Sequence, residues 1–125
     1  MYLLDTHALV WAIAAPEELP ARVREILATS EVTASVVSYW ELVLKKGRQT
    51  APVLQPSAWW DRYITRPAVE VLPLRVTHVD QLDALPEFHK DPFDRMLVAQ
   101  ARIEGLTLVT RDPRIGLYGV PTIPA

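Results

Sequence analysis

The chain contains no cysteine. That excludes a disulfide scaffold, a thiolate nucleophile, a Cys-ligated zinc site and an iron–sulfur cluster. It also lacks a large charge of either sign: 13 Lys and Arg face 15 Asp and Glu, a formal net charge of −2. Bulk positive charge is therefore not what holds it to a nucleic acid, although a nucleic acid stays open as a substrate. No run free of ionisable groups approaches the roughly 20 residues of a membrane span. The apolar stretch Met1–Ala15 has no basic leader and is interrupted by Asp5, a poor match to a signal peptide. We read a cytoplasmic protein with no membrane partner. The histidines, His7, His78 and His89, are too widely spaced for a zinc motif. A Ser-His-Asp pattern, internal repeats, low-complexity tracts and linkers are also missing.

What is present is globular composition: 125 residues, 50% apolar and 22% charged. The length fits one domain, residues 1–125, with enough surface to bury for a real core. Eleven prolines, about twice the usual roughly 5%, predict short elements with sharp ends. Strands are expected at Tyr2–Leu4, Val32–Val36, Val69–Leu74, Leu106–Thr110 and Val120–Ile123. Helices are expected at Ala8–Ala14, Ala21–Ala28, Ser38–Lys46, Pro56–Ile64 (ended before Pro67), Thr77–Leu85 and Pro92–Glu104. Strands alternate with helices throughout, which favours an α/β fold with a central, mainly parallel sheet flanked by helices. Tyr2–Leu4 and Leu106–Thr110 are continuous apolar runs, as central parallel strands are. Pro73 marks its strand as an edge. Met96–Ala101 is apolar nearly all round and should be deeply buried.

The acids fall in a pattern. Asp5 follows a strand and precedes a helix, where Asp is a common N-cap. Glu41 follows Ser38 by three, as in a capping box, and precedes Lys45 by four, as in an exposed helix pair. Asp91-Pro92 reads as N-cap and first helical residue, which puts Asp94 in the first turn. Asp112-Pro113 reads as a turn. Each acid thus has a purely structural explanation. In a parallel α/β sheet, however, strand C-termini and the following helix N-termini share one edge, the edge where such sheets bind ligands. Capping does not require four carboxylates to converge there. Gathered together they repel, unless protons or cations relieve them. All-oxygen ligation suits Mg²⁺ or Mn²⁺. Such ions activate water and stabilise phosphoryl charge during an in-line displacement.

Four segments carry a family resemblance: Tyr2-Leu3-Leu4-Asp5-Thr6-His7-Ala8-Leu9-Val10-Trp11, Val36-Val37-Ser38-Tyr39-Trp40-Glu41, His89-Lys90-Asp91-Pro92-Phe93-Asp94-Arg95-Met96-Leu97-Val98-Ala99-Gln100-Ala101 and Leu106-Thr107-Leu108-Val109-Thr110-Arg111-Asp112. In order and spacing they resemble PIN-domain ribonucleases of the VapC toxin type, and the resemblance spans the chain. It implies a metal-dependent endoribonuclease leaving a 3′-hydroxyl and a 5′-phosphate. It further implies a small VapB-like antitoxin as partner, and a homodimer. By position, the catalytic and metal-binding acids are Asp5, Glu41, Asp94 and Asp112. Asp91 is an N-cap or an extra ligand, with the cap preferred, and Thr6 and Thr110 bring hydroxyls near the metal. Ile115 departs from the pattern, standing where relatives usually carry an aromatic.

Lys45, Lys46 and Arg48 form the tightest basic cluster, either a solvated helix end or a grip on RNA phosphates. Arg95, Arg111 and Arg114 flank site acids and would offset their charge or hold RNA. Trp59 is expected in the core and Trp60 towards a partner. Two readings from other classes stand beside the nuclease. One is a non-catalytic PIN-like module that binds RNA or a partner. The other is a phosphotransfer domain, for which Asp5-Thr6-His7 lacks the paired-Asp spacing.

Overall fold

The computed structural model describes residues 1–65 and 69–125. Its elements run β1 (Tyr2–Leu4), α1 (Thr6–Ala14), a single 3₁₀ turn (Pro16–Glu18), α2 (Ala21–Thr29), β2 (Val32–Ser35) and α3 (Val36–Leu44). They continue with α4 (Pro56–Tyr63), β3 (Val69–Leu72), α5 (Val76–Asp83), α6 (Pro92–Glu104), β4 (Thr107–Thr110), α7 (Pro113–Gly116) and β5 (Thr122–Pro124). Pro67, expected to close the fourth helix, lies outside the described residues.

The five strands form one sheet, ordered β3-β2-β1-β4-β5, and every pairing is parallel. The expected α/β architecture is therefore present, with β1 and β4 inside and β3 at an edge. Alternation along each strand sends successive side chains to opposite faces. Leu3 and Leu108 join α6 and α7 in one core, with Leu97, Met96 and Ile115. Leu4 and Val109 face the other way, into a core with Leu9 of α1, Val23 of α2 and Ile64. Helices thus cover both faces, which is why these strands read as continuous apolar runs. Trp59 and Trp60 are both half-buried against that second core, so the expected division between them is not seen.

Two expectations at helix starts need correction. The strand expected to reach Val36 stops at Ser35, whose hydroxyl accepts the Val37 N–H at 3.0 Å and caps α3. The helix therefore begins a turn earlier than the Ser38 start, and no Ser38–Glu41 capping box forms. Ser38 instead lies buried inside the helix. Likewise the expected turn at Asp112-Pro113 continues into the short α7, capped by Asp112.

The chain builds β1, β2 and β3 outward on one side. It then crosses back through α5 and α6 to place β4 against the other side of β1. The strand order reverses between β1 and β4. At such a switch point the loops leaving adjacent strands diverge and open a crevice at the strands' carboxyl ends.

Candidate active site

Asp5 follows the last residue of β1, at the switch point. Its backbone N–H donates to Val109 O of β4 at 3.0 Å, and its carboxylate accepts the Ala8 N–H at 2.8 Å as the N-cap of α1. The residue is 5% exposed. Thr110, at the end of β4, hydrogen-bonds the Asp5 carboxylate and also accepts the Asp112 N–H at 3.1 Å. One buried hydroxyl thereby ties two of the acids. Burial raises the Asp5 pKa above the ordinary carboxylate value, opposed by the Thr110 and Ala8 hydrogen bonds.

Glu41 lies in the second turn of α3 rather than the first, and is buried. Its Oε2 meets the Lys45 ammonium at 2.5 Å. The expected Glu41–Lys45 pair exists, but it is partly buried rather than exposed. Its Oε1 is buried without a hydrogen-bond partner. An unmet buried carboxylate oxygen costs about 1–3 kcal/mol or more, so its persistence here marks a place built for something else. Ser38, one turn before Glu41, accepts the Thr6 hydroxyl at 3.0 Å and so joins α3 to α1.

Asp94 sits in the first turn of α6, which Asp91 caps by accepting the Phe93 and Asp94 N–H groups at 2.8 and 3.2 Å. The preferred N-cap reading of Asp91 matches this geometry. The Asp94 pKa is pushed up to about 7, first by burial and then by the charges of Asp91, Asp5, Glu41 and Asp112. The charge of each of the other three expected acids therefore bears on Asp94. Asp112 behaves oppositely: Arg114 holds its carboxyl well below the usual range through bonds of 3.1 Å from Nε and 2.8 Å from a terminal nitrogen.

His89 was not among the expected site residues, yet the fold delivers it there. Its Nε2 lies 2.8 Å from Asp112 Oδ2 and 3.1 Å from Asp94 Oδ2. The three side chains bring ligand-type atoms within 4.8 Å of one another. Its position just before Asp91-Pro92-Phe93-Asp94 was the available signal. Its partnership with Asp112, 23 residues away, was not visible in the spacing.

The basic residues divide. Lys45 and Arg114 touch site acids, and Lys46 and Arg48 are exposed beyond the end of α3. Arg95 turns away, donating to the carbonyls of Leu82, Leu85 and Pro86 at 3.4 Å. Arg111 lies 4.0 Å over the Trp11 ring and donates to Ala125 O and Glu18 O. The structure thus gives Arg95 and Arg111 packing and tethering contacts rather than contacts with the acids.

The donor set fits a hard divalent ion. It is rich in carboxylate oxygen, includes Glu41 Oε1, unmet among the described residues, and holds an acid whose pKa is raised by burial and then by like charge.

This fold and this edge match a known class. The PIN domain family matches residues 2–120, and the chain belongs to that family. Among individual proteins, it is 29% identical over 121 residues to ribonuclease VapC22 of Mycobacterium tuberculosis, covering 95% of this chain and 92% of that one. The fold resembles DNA-bound VapBC from Salmonella typhimurium, with a TM-score of 0.73 and 20% identity, covering 98% and 96% of the two chains. It also resembles FitAcB from Neisseria gonorrhoeae, with a TM-score of 0.72 and 19% identity over the same shares.

Proposed function

We propose that the chain is a divalent-metal-dependent endoribonuclease and the toxin of a type II toxin–antitoxin pair. The observation that carries this reading is the buried Glu41 Oε1, unmet among the described residues, together with an Asp94 carboxyl on which the charges of Asp5, Glu41 and Asp112 act. Similarity to a protein named as a ribonuclease, and to folds solved in VapBC complexes, supports it. These four carboxylates are the ligands for Mg²⁺ or Mn²⁺. When bound, such an ion activates water and stabilises charge on the phosphoryl group.

The protein's own groups hold that arrangement. Thr110 fixes Asp5 against the Asp112 backbone, the Thr6–Ser38 bond sets α1 against α3, and Lys45 balances one oxygen of Glu41. The exposed Arg114 guanidinium beside Asp112, with Lys46 and Arg48, gives RNA phosphates a basic rim. The partners are RNA, a small VapB-like antitoxin and a second copy of the chain, in the cytoplasm. Among the described residues no helix is long and apolar enough to cross a membrane.

The test is purified protein on structured RNAs, with Mn²⁺ or with EDTA, beside Asp94→Asn. Cleavage that needs the ion and disappears in the variant is expected. Binding that ignores EDTA, with no cleavage, would establish the non-catalytic module instead.

A further inference from the structure

Two buried imidazoles lie in this molecule, and one of them is bound up with the acids. His89 is 5% exposed and held at three points. Its backbone N–H donates to the Tyr118 hydroxyl at 3.0 Å, and Tyr118 is itself packed edge-on to Phe88. Its Nδ1 accepts the backbone N–H of Asp91 at 3.0 Å. A nitrogen that accepts an N–H carries no hydrogen of its own, so the ring hydrogen sits on Nε2. That nitrogen faces Asp112 Oδ2 and Asp94 Oδ2 at 2.8 and 3.1 Å. It donates to Asp112, with Asp94 beside it at ion-pair distance, and has no lone pair to offer a cation.

We infer that His89 is a positioning residue: its Nε2–H orients the Asp112 carboxylate beside Asp94 for a divalent ion without ligating that ion. This rests on the proposed metal site and assigns it a supporting group. The acids come from different elements, the first turn of α6 and the start of α7, and no hydrogen bond joins them directly among the described residues. The imidazole between them, hydrogen-bonded to Asp112 and 3.1 Å from Asp94, sets the place of Asp112 before an ion arrives. Outer partners of this kind typically change metal affinity about 10–100-fold when removed. The Asp91 N–H and the Tyr118 hydroxyl fix the ring's tautomer and height. The sequence just before α6 thus supplies the donor that orients Asp112, His89, and that donor's own anchor, Asp91.

Three variants separate donation from bulk. His89→Gln keeps an N–H at the reach of Nε2. His89→Asn keeps an acceptor near Nδ1 but cannot reach the acids. His89→Leu keeps neither. Mn²⁺ affinity, measured without RNA, should fall about 10–100-fold in His89→Asn and His89→Leu and within a few-fold of wild type in His89→Gln. In the metal-free protein, ¹⁵N NMR of the His89 ring should show hydrogen on Nε2 and none on Nδ1. Electron spin-echo spectra of the Mn²⁺ complex should show no directly coordinated nitrogen. Coordinated nitrogen that vanishes in His89→Leu would overturn the inference by making His89 a ligand. Equal Mn²⁺ affinity in all three variants would overturn it by making His89 irrelevant. Wild-type protein that binds no Mn²⁺ would sink both this inference and the metal site beneath it, whereas the other failures leave the site standing.

Discussion

At each end of helix α6 an acid meets a buried histidine from outside the helix, and the two ends behave differently. At its start, Asp94 and His89 lie 3.1 Å apart; near its close, Glu104 and His78 lie 3.5 Å apart. The imidazoles are held alike. His78 Nδ1 accepts the Arg75 N–H at 3.0 Å, as His89 Nδ1 accepts that of Asp91. The surroundings are not alike. Glu104 is answered by the Arg75 guanidinium at 3.3 Å. Asp94 faces Asp91, Asp5, Glu41 and Asp112, which with burial lift its pKa to about 7. A buried histidine beside an acid is thus a common packing device. A surplus of acids over the cations Lys45 and Arg114 is what distinguishes one end as the proposed site.

The sharpest way to break this comparison is to neutralise each acid. Asp94→Asn should lower RNA cleavage by on the order of 10³-fold, the scale of losing a major electrostatic contact in catalysis. Glu104→Gln should leave the rate within about twofold. Equal losses would mean that the two ends are not distinct.

A second contrast lies in heat stability. Folded Asp94, its pKa pushed up to about 7 by burial and neighbouring acids, keeps its proton to higher pH than the unfolded carboxyl, which releases it in the ordinary carboxylate range. The folded state binds more protons across that window, so this group makes stability fall as pH rises through it. At the proposed site a divalent ion would displace that proton and relieve the repulsion. Mn²⁺ at about 100 times its Kd should therefore raise Tm by about 10 °C. The rise should be larger near pH 8 than near pH 5, and absent in Asp94→Asn but kept in Glu104→Gln. A shift independent of pH would separate ion binding from Asp94.

Smaller effects sharpen the other end. His78→Leu strands the Arg75 N–H and removes a partner of the buried Gln100. It should cost about 1–3 kcal/mol of stability by denaturant unfolding, with cleavage per folded molecule unchanged. Arg75 is largely exposed, with 57% of its side-chain surface accessible. Arg75→Gln should accordingly change stability by no more than about 1 kcal/mol.

Much of this molecule was legible in the order of its residues. The apolar runs at β1 and β4, Asp91-Pro92 before α6 and Gly105 after it identified the parallel sheet and its longest helix. Gly105 closes α6 at φ 66°, a left-handed position that glycine takes without strain. Asp5, Glu41, Asp94 and Asp112 could be assigned to one edge because strand ends and helix starts share an edge in any such sheet. Other features depended on contacts that no local pattern encodes. Val36-Val37 looks like a continuing strand, and only the Ser35 cap shows that the helix has begun. That one-turn shift moves Glu41 from the first turn into the second and buries it. His89 has a polar neighbourhood in sequence but finds its partner in Asp112, across β4. Arg95 and Arg111 stand beside site acids in sequence, yet helix and strand geometry turns their side chains to carbonyls elsewhere.

The measurement that bears most directly on the proposed metal site is anomalous X-ray scattering from crystals soaked in Mn²⁺. A peak within ligand distance of Asp5, Glu41 or Asp94 oxygens, at the β1–β4 switch point, is the expected result. A peak beside Glu104, or none at saturating Mn²⁺, would contradict it.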